Sequence, residues 1–197
     1  MFKRLFDIAS CVCGLLLLWP VLLAVAIWIK KDSDGPVFFK QTRVGRHGKN
    51  FSILKFRTMV VDAEAKGLKV TVGADPRVTS SGRFLRRSKL DELPQLINVV
   101  LGDMSVVGPR PEVPEYMNEY EKSVRDKILS VRPGITDKAS IEYTNEAEIL
   151  ADAHDPRVAY INEVMPEKAK YYIDYVDNQS LFLDVAIIFK TLKKIVS

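Results

Sequence analysis

Two adjacent carboxylates, Asp91 and Glu92, stand in Lys89-Leu90-Asp91-Glu92-Leu93-Pro94, at the end of a stretch that carries Arg77, Arg83, Arg86, Arg87 and Lys89 and no acid. Carboxylates among so many cations can divide their work. One oxygen attacks a phosphoryl group to give an acyl phosphate, and another binds a divalent cation. A pyrophosphate substrate brings clustered negative charge, which cations must offset before an anionic nucleophile can approach. A plainer reading is open at the same residues. Pro94 fits a helix only in its first turn, which makes Asp91 a good N-cap for a helix running from Glu92 through LPQLINVVL to Gly102. An anion or phosphate is favoured at such a terminus.

Downstream, Gly108-Pro109-Arg110-Pro111 holds an arginine between two prolines, so its backbone is restricted before any ligand arrives. That guanidinium can grip a phosphate with two parallel hydrogen bonds or serve in a structural salt bridge. Arg132 in Val131-Arg132-Pro133-Gly134 has a similar setting before a proline, which disfavours helix and aims the side chain from a turn.

The elements that must position these groups begin with residues 8–29, an uncharged run long enough, at about 1.5 Å per residue, to cross a hydrocarbon core. No small-x-small cleavage site follows it, which disfavours a signal peptide. Trp19-Pro20 falls near its middle, where a proline removes a hydrogen bond and kinks the helix. Lys3 and Arg4 precede the run and Lys30 and Lys31 follow it, so charge gives no orientation across a membrane. A straight spanning helix competes with a helix broken at Trp19 and Pro20 that enters and leaves by one face. The second satisfies both observations. Trp19 and Trp28 suit the headgroup region, and Asp7 lies one turn from Arg4, which eases its burial near the interface. Cys11 and Cys13, the two cysteines of the chain, lie inside the run and read as small hydrophobes.

With 47% hydrophobic and 27% charged residues, the chain is neither disordered nor a multi-span protein, and one domain with an appendage is expected. Residues 37–59 read as a hairpin with its turn at GRHGK; Phe51, Ile53 and Lys55 share one face of the second arm. His47, in that turn, reads as a solvated loop residue. A short helix is expected over 60–67, loop over 68–82, and helices over 112–130, 145–153 and 162–176. In the C-terminal SLFLDVAIIFKTLKKIVS, Leu181, Val185, Ile188, Leu192 and Ile195 share a helix face that either packs on the core or lies on a membrane surface.

FKQTRVG, FSILKFRTM, the block RFLRRSKLDELPQLINVVLGDMSVVGPRPE and VRPGI together closely resemble the bacterial sugar transferase family of monotopic phosphoglycosyl transferases. The similarity covers nearly the whole chain. It implies a mostly helical α+β fold, with a re-entrant membrane helix over 1–33 broken at Trp19 and Pro20. A compact catalytic domain follows over 34–197, with a small β-hairpin and amphipathic interfacial helices. It also implies a magnesium-dependent transfer of sugar 1-phosphate from a UDP-sugar to polyprenyl phosphate, at the cytoplasmic face of the bacterial inner membrane, as the first membrane step of glycoconjugate assembly. Carried over by position, Asp91 is the nucleophile that takes up the sugar phosphate as UMP leaves, and Glu92, with Asp91 beside it, holds Mg2+. Arg86 or Arg87 and Arg110 contact phosphates, and Lys55, Arg57 and Arg132 lie near the donor. Asp184 matches an acidic position with a structural part.

The implied partners are the UDP-sugar, the polyprenyl phosphate and membrane lipid, with a homodimer compatible and no nucleic acid. The chain resembles the minimal catalytic forms, without the multi-span region of larger relatives. Asp137-Lys138-Ala139 departs from the Gly-Leu-Ala of many members, and 143–165 matches no diagnostic pattern, so these segments are expected to shape sugar preference.

Two other readings stay in view. One is a membrane-anchored binding protein whose basic block grips nucleic acid or acidic lipid, although Phe84 is the lone aromatic there and base stacking needs more. The other is a phosphohydrolase that gives the same acyl phosphate to water. On topology, Pro20→Leu should straighten the run and carry the N-terminus to the far side of the membrane. Labelling of an N-terminal cysteine from either side reads this out; a wild-type terminus that labels only from outside the cell would sink the re-entrant reading.

Overall fold

The computed structural model describes residues 2–61, 63, 75–143 and 146–196; the helix expected over 60–67 lies almost wholly outside these residues. The apolar run forms helix α1 (Phe2–Asp32), 31 residues long with Pro20 inside it. Helical backbone continues through Trp19 and Pro20, so the break expected there is not seen as an interruption of the helix. By length and composition α1 can cross a membrane, with a mean hydropathy of 2.6.

One stripe of α1 packs along the rest of the chain on both sides of the proline. Cys11 joins Ile53, Val99 and Met104, while Leu22, Val25, Ala26 and Ile29 pack with Phe56 and Leu85. Both ends are also tied by polar contacts. Asp7, buried, accepts hydrogen bonds from Ser105 Oγ at 2.8 Å and Val106 N–H at 3.2 Å. At the other end Asp32 accepts from the Ser81 N–H at 2.9 Å and its hydroxyl at 2.8 Å. The opposite face, with Phe2, Leu5, Leu16, Leu17, Trp19 and Leu23, is exposed.

Strands β1 (Phe38–Val44) and β2 (Asn50–Phe56) form the expected antiparallel hairpin, with Phe38 opposite Phe56 and Val44 opposite Asn50. His47 takes a positive φ of 58° in its turn, and Gly48 follows at +75°. Helix α2 (Ser80–Arg87) begins inside the segment expected to be loop. Thr79 caps it by accepting from the Gly82 N–H at 3.0 Å, and the Asp32 carboxylate supplies a second acceptor in its first turn. Gly82 is required by space, because a Cβ there would lie 2.1 Å from the Thr58 carbonyl oxygen.

The segment after α2 differs from expectation in one consequential way. Leu90–Glu92 form a 3-10 turn preceded by Lys89 at φ 57°, and helix α3 (Gln95–Leu101) starts only after Pro94. Asp91 is therefore not a helix cap. The proline does stand at the helix start, as its chemistry requires, but the turn before it displaces the start by three residues. The helix ends as expected at Gly102, whose φ of +101° suits glycine.

Strand β3 (Ser105–Val107) pairs in parallel with β4 (Gly134–Thr136), a second sheet beyond the hairpin. The stretch between them breaks into helices α4 (Pro114–Met117) and α5 (Lys122–Ile128) rather than one helix. Short helices α6 (Lys138–Glu142), α7 (Glu146–Asp152) and α8 (Pro156–Ala159) lead through a π-helical turn at Tyr160–Val164 into α9 (Met165–Asn178). The main core gathers Tyr116, Leu150, Tyr160, Val164, Met165 and Tyr172.

In helix α10 (Leu181–Val196) the face expected either to pack on the core or to lie on a membrane surface is divided, with Ile188 against the core and Leu181, Leu192 and Ile195 turned outward. Ile187 and Asp184 are its buried residues, while Leu181, Phe182, Phe189, Leu192 and Ile195 are exposed. Asp184 decides the rotation. It pairs with Lys3 at 2.6 Å and accepts from the Tyr175 hydroxyl at 2.7 Å, a structural part as expected.

Arg57, placed near the donor by resemblance, lies instead at the junction of α1 and β1. Buried, it donates to the carbonyls of Pro36 and Ser33 and to the Ser33 hydroxyl at 2.6, 2.8 and 2.8 Å. Arg57→Ala should lower the stability of the detergent-solubilised protein by about 2 kcal/mol, since it strands buried acceptors, and thermal unfolding followed by circular dichroism measures this.

Candidate active site

Glu92 is gripped from two sides. Lys55 of β2 donates to its Oε1 at 2.7 Å; Arg110, from the loop after β3, donates to Oε1 and also to Oε2, the latter at 3.3 Å. The hairpin supplies Lys55 because period-two alternation turns it to the inner side with Ile53. Burial alone would raise the Glu92 carboxyl, but Arg110 and Lys55 outweigh it and hold Glu92 well below the usual carboxylate range. Arg110 is raised in return, chiefly by Glu92.

Asp91, the next residue back, has the opposite environment. Burial and then the Glu92 charge raise its carboxyl above the ordinary value, against Lys55, Arg86 and Lys89, which lower it. It is 7% exposed, and its Oδ1 has no hydrogen-bond partner among the described residues. Adjacent carboxylates whose pKa values are pushed apart are a recurring sign of divided roles. Glu92 is the fixed anion that organises its neighbours, and Asp91 is the basic, unpartnered carboxylate.

Beside Glu92 opens a cavity of about 700 Å³, lined by Glu92, Arg87, Lys89, Arg43 and Arg110 together with Glu112, Ser140, Tyr143, Glu146, Tyr160 and Lys168; Asp91 is next to Glu92 in the chain but does not line it. Arg86 does not line it; its guanidinium donates to the Thr58 hydroxyl at 2.9 Å, and its charge acts on Asp91. Lys55, Arg86, Arg87 and Arg110 are thus gathered around Asp91 and Glu92, whereas Arg57 and Arg132 are not. Arg132 donates to the Gly102 carbonyl at 2.9 Å and lines a separate cavity.

The proline motifs that hold Arg110 and Arg132 meet in space. Ser105 pairs with Gly134 and Val107 with Thr136, and a Cβ on Gly134 would lie 2.1 Å from the Gly108 nitrogen. Glycine is required at that crossing because two backbones touch there.

Several cavity residues escaped the sequence reading. Arg43 sits in FKQTRVG and donates to the Pro111 carbonyl at 2.9 Å; Glu112 follows GPRP and accepts from the Tyr160 hydroxyl at 2.7 Å. Their motifs were the available signal. Lys168, buried and ion-paired with Glu146, had none.

Among the described residues no group of three or more His, Cys, Asp and Glu gathers as a metal cage. Magnesium asks for less, commonly one or two carboxylates with substrate phosphates and water completing its shell. Asp91 and Glu92 fit that smaller demand. Asp91 Oδ1 has no hydrogen-bond partner among the described residues, whereas Glu92 is held by Lys55 and Arg110.

All of residues 1–197 match the family described as bacterial sugar transferase. The chain belongs to the bacterial sugar transferase family. It is 38% identical to the UDP-N-acetylgalactosamine-undecaprenyl-phosphate N-acetylgalactosaminephosphotransferase of Aeromonas hydrophila, over 99% of this chain and 44% of that protein. It is 39% identical to the UDP-glucose:undecaprenyl-phosphate glucose-1-phosphate transferase of Escherichia coli (strain K12), over 98% of this chain and 40% of the other. The exopolysaccharide production protein PSS of Rhizobium leguminosarum bv. phaseoli is 41% identical, with 96% of this chain and 92% of that protein aligned. The chain spans about two fifths of the length of the first two.

In this member of the family the raised carboxyl of Asp91 carries a stability cost. A folded pKa above the unfolded one makes the ionised group destabilising at pH values above the unfolded pKa, and the cost disappears below it. Asp91→Asn should therefore raise the thermal midpoint at pH 7 to 8, with the gain fading as pH falls through the folded pKa toward the ordinary aspartate value of about 4. Thermal scans of both proteins across that range check the sign, and a loss of stability in the variant would contradict this environment for Asp91.

Proposed function

We propose that the chain transfers a sugar 1-phosphate from a UDP-sugar to polyprenyl phosphate through a covalent phosphosugar on Asp91. The observation that carries this reading is Asp91 itself: a buried carboxylate with a raised pKa and an unpartnered oxygen, next in the chain to Glu92 of the cation-lined cavity. Such a carboxylate needs neighbouring cations to meet a pyrophosphate, and Lys55, Arg86, Arg87, Lys89 and Arg110 supply them.

In the first step an Asp91 oxygen attacks the β-phosphorus. The bond from that phosphorus to the bridging oxygen breaks, and UMP leaves with the electron pair. An oxygen of polyprenyl phosphate then attacks the same phosphorus and expels the Asp91 carboxylate, giving polyprenyl diphosphate sugar. Arg110 can move from Glu92 to a donor phosphate without losing a charged partner, because both are anionic acceptors for its planar fork. Lys55 stays with Glu92 and keeps it ionised. Glu92 and Asp91 would hold magnesium, which would offset the charge of the pyrophosphate.

The names of the relatives include N-acetylgalactosamine and glucose at nearly equal identity, so overall similarity does not choose a sugar. The residues that would choose it are those of the 137–168 segment on the cavity wall, Ser140, Tyr143, Glu146, Tyr160 and Lys168.

The site belongs at a membrane, since its acceptor is a lipid. We place α1 in one leaflet as a re-entrant element, with 34–197 as the catalytic unit on the cytoplasmic face of the bacterial inner membrane. The attachment of both ends of α1 to the same body supports this, because a helix held along its length cannot leave that body to span a bilayer alone. The exposed apolar stripe of α10 is a second surface suited to the same interface.

Purified full chain, magnesium, a panel of UDP-sugars and undecaprenyl phosphate should give UMP release that requires one donor. Asp91→Asn should lose at least ~10³-fold of the rate, and Arg110→Ala should lose ~10²-fold or more. Release retained by Asp91→Asn would remove it as nucleophile.

A further inference from the structure

A second cavity, of about 300 Å³, is lined by Lys3, Arg4, Arg46 and Arg132, with Asp7 as its acid. It shares no lining residue with the cavity beside Glu92. The two lie at opposite ends of α3. Glu92 precedes that helix, whereas Arg4 donates to the carbonyls of Val100 and Met104 at 3.3 Å near its end. Seven residues of helix put them roughly 10 Å apart or more.

The charges around this cavity do not cancel. Lys3 pairs with Asp184 at 2.6 Å and stands 4.0 Å from Asp7, whose carboxylate also accepts from Ser105 and Val106 and offsets one positive charge. Arg4, Arg46 and Arg132 make their hydrogen bonds to backbone carbonyls: Arg46 to Ser130 at 3.0 Å, and Arg132 to Gly102 at 2.9 Å. Neutral acceptors satisfy donors but leave charge. The C-terminal end of α3 contributes about half a negative charge at most, which suits Arg4 and Arg132 but together with Asp7 does not balance three guanidinium groups. Their mutual repulsion is visible at Arg132, whose pKa is lowered by burial and then by Arg4 and Arg46. Three guanidinium groups that converge on one cavity form a receptor for a tetrahedral oxyanion.

The surroundings indicate where that oxyanion comes from. Phe2 and Leu5 flank Arg4 on α1, Leu101 adjoins the Gly102 that Arg132 holds, and Phe182 lies two residues before the Asp184 that holds Lys3; all four are exposed. None of the four lines the cavity itself, and a free anion needs no apolar neighbours. A phosphate with acyl chains does.

We propose that the cavity bounded by Arg4, Arg46 and Arg132 binds the phosphate group of an anionic membrane lipid, at a site separate from the catalytic one. The bound lipid neutralises the three arginines and fastens the start of α1 to the body at the level of the headgroups.

The test uses the full chain in nonionic detergent. Dioctanoyl phosphatidic acid is titrated while the thermal midpoint is followed and retained lipid is counted by native mass spectrometry. Dioctanoylglycerol, with the same tails and no phosphate, and inorganic phosphate are run alongside. A saturable rise in midpoint with the phosphatidic acid alone is expected. Arg46→Gln, at an exposed turn position, and Arg132→Gln should each shift the titration to roughly tenfold higher lipid, the loss of one charge-assisted contact. Arg110→Ala, in the other cavity, should leave the titration in place. A titration unchanged by Arg46→Gln and Arg132→Gln overturns the proposal, as does one abolished by Arg110→Ala and kept by Arg46→Gln, which would put the lipid in the catalytic cavity. Inorganic phosphate acting at the same concentrations as the lipid would overturn the lipid assignment.

Discussion

The three-way contact of Lys55, Glu92 and Arg110 is the constraint on which the rest of this molecule depends. It joins three pieces of chain remote in sequence: the hairpin, the 3-10 turn after α2, and the loop after β3. A buried carboxylate with one cation is a marginal arrangement, because desolvation opposes the attraction. With two cations Glu92 stays ionised despite its burial. That fixed negative charge then acts on Asp91, which shares the turn but not the partners. Its neighbour's saturation leaves Asp91 basic and unpartnered, a structural cost of the kind that accumulates at reacting groups. The two carboxylates differ through their surroundings, not their chemistry.

Helix α1 shows how one element can belong to a membrane and to a core. Its composition suits lipid on every face, yet a stripe from Asp7 through Cys11, Val25 and Ile29 is buried against protein. Asp7 sets the rotation, since a buried carboxylate must find donors and Ser105 and Val106 offer them, and half-buried Asp32 holds the other end through Ser81. Once those contacts form, the remaining apolar residues are turned outward. The same logic governs α10, where Asp184 faces inward to meet Lys3 and Tyr175 and the larger apolar residues are left exposed. In both helices a single carboxylate overrides the preference of apolar side chains for the interior.

The paired proline motifs do something similar on a smaller scale. Gly108-Pro109-Arg110 and Arg132-Pro133-Gly134 cross as a short parallel sheet, and the close approach of Gly108 and Gly134 leaves no room for side chains at the crossing. Their arginines then serve different ends of α3, Arg110 at Glu92 and Arg132 at Gly102. Prolines beside each arginine limit the backbone choices, so the divergence is built into the loops and does not depend on a bound ligand.

The residue types and local spacing by themselves determined much of this protein. The hairpin with Lys55 on its inner side, the long apolar N-terminal helix and the stop at Gly102 all follow from patterns within a few residues, where propensity and alternation act. The second sheet did not show, because three-residue strands separated by the whole of α4 and α5 carry no periodic signal. Nor did the start of α3, where the turn at Lys89 displaced a reasonable cap. Tertiary structure alone decided which cations surround the carboxylates: Arg57 and Arg132 stand in motifs as suggestive as that of Arg110, yet each is drawn to backbone carbonyls elsewhere. It also decided that Lys168, Glu146 and Tyr160 join the cavity wall, and which face of α10 is buried. These outcomes turn on where charged side chains find partners across the fold, and pairing between distant segments is not written in the spacing of either one.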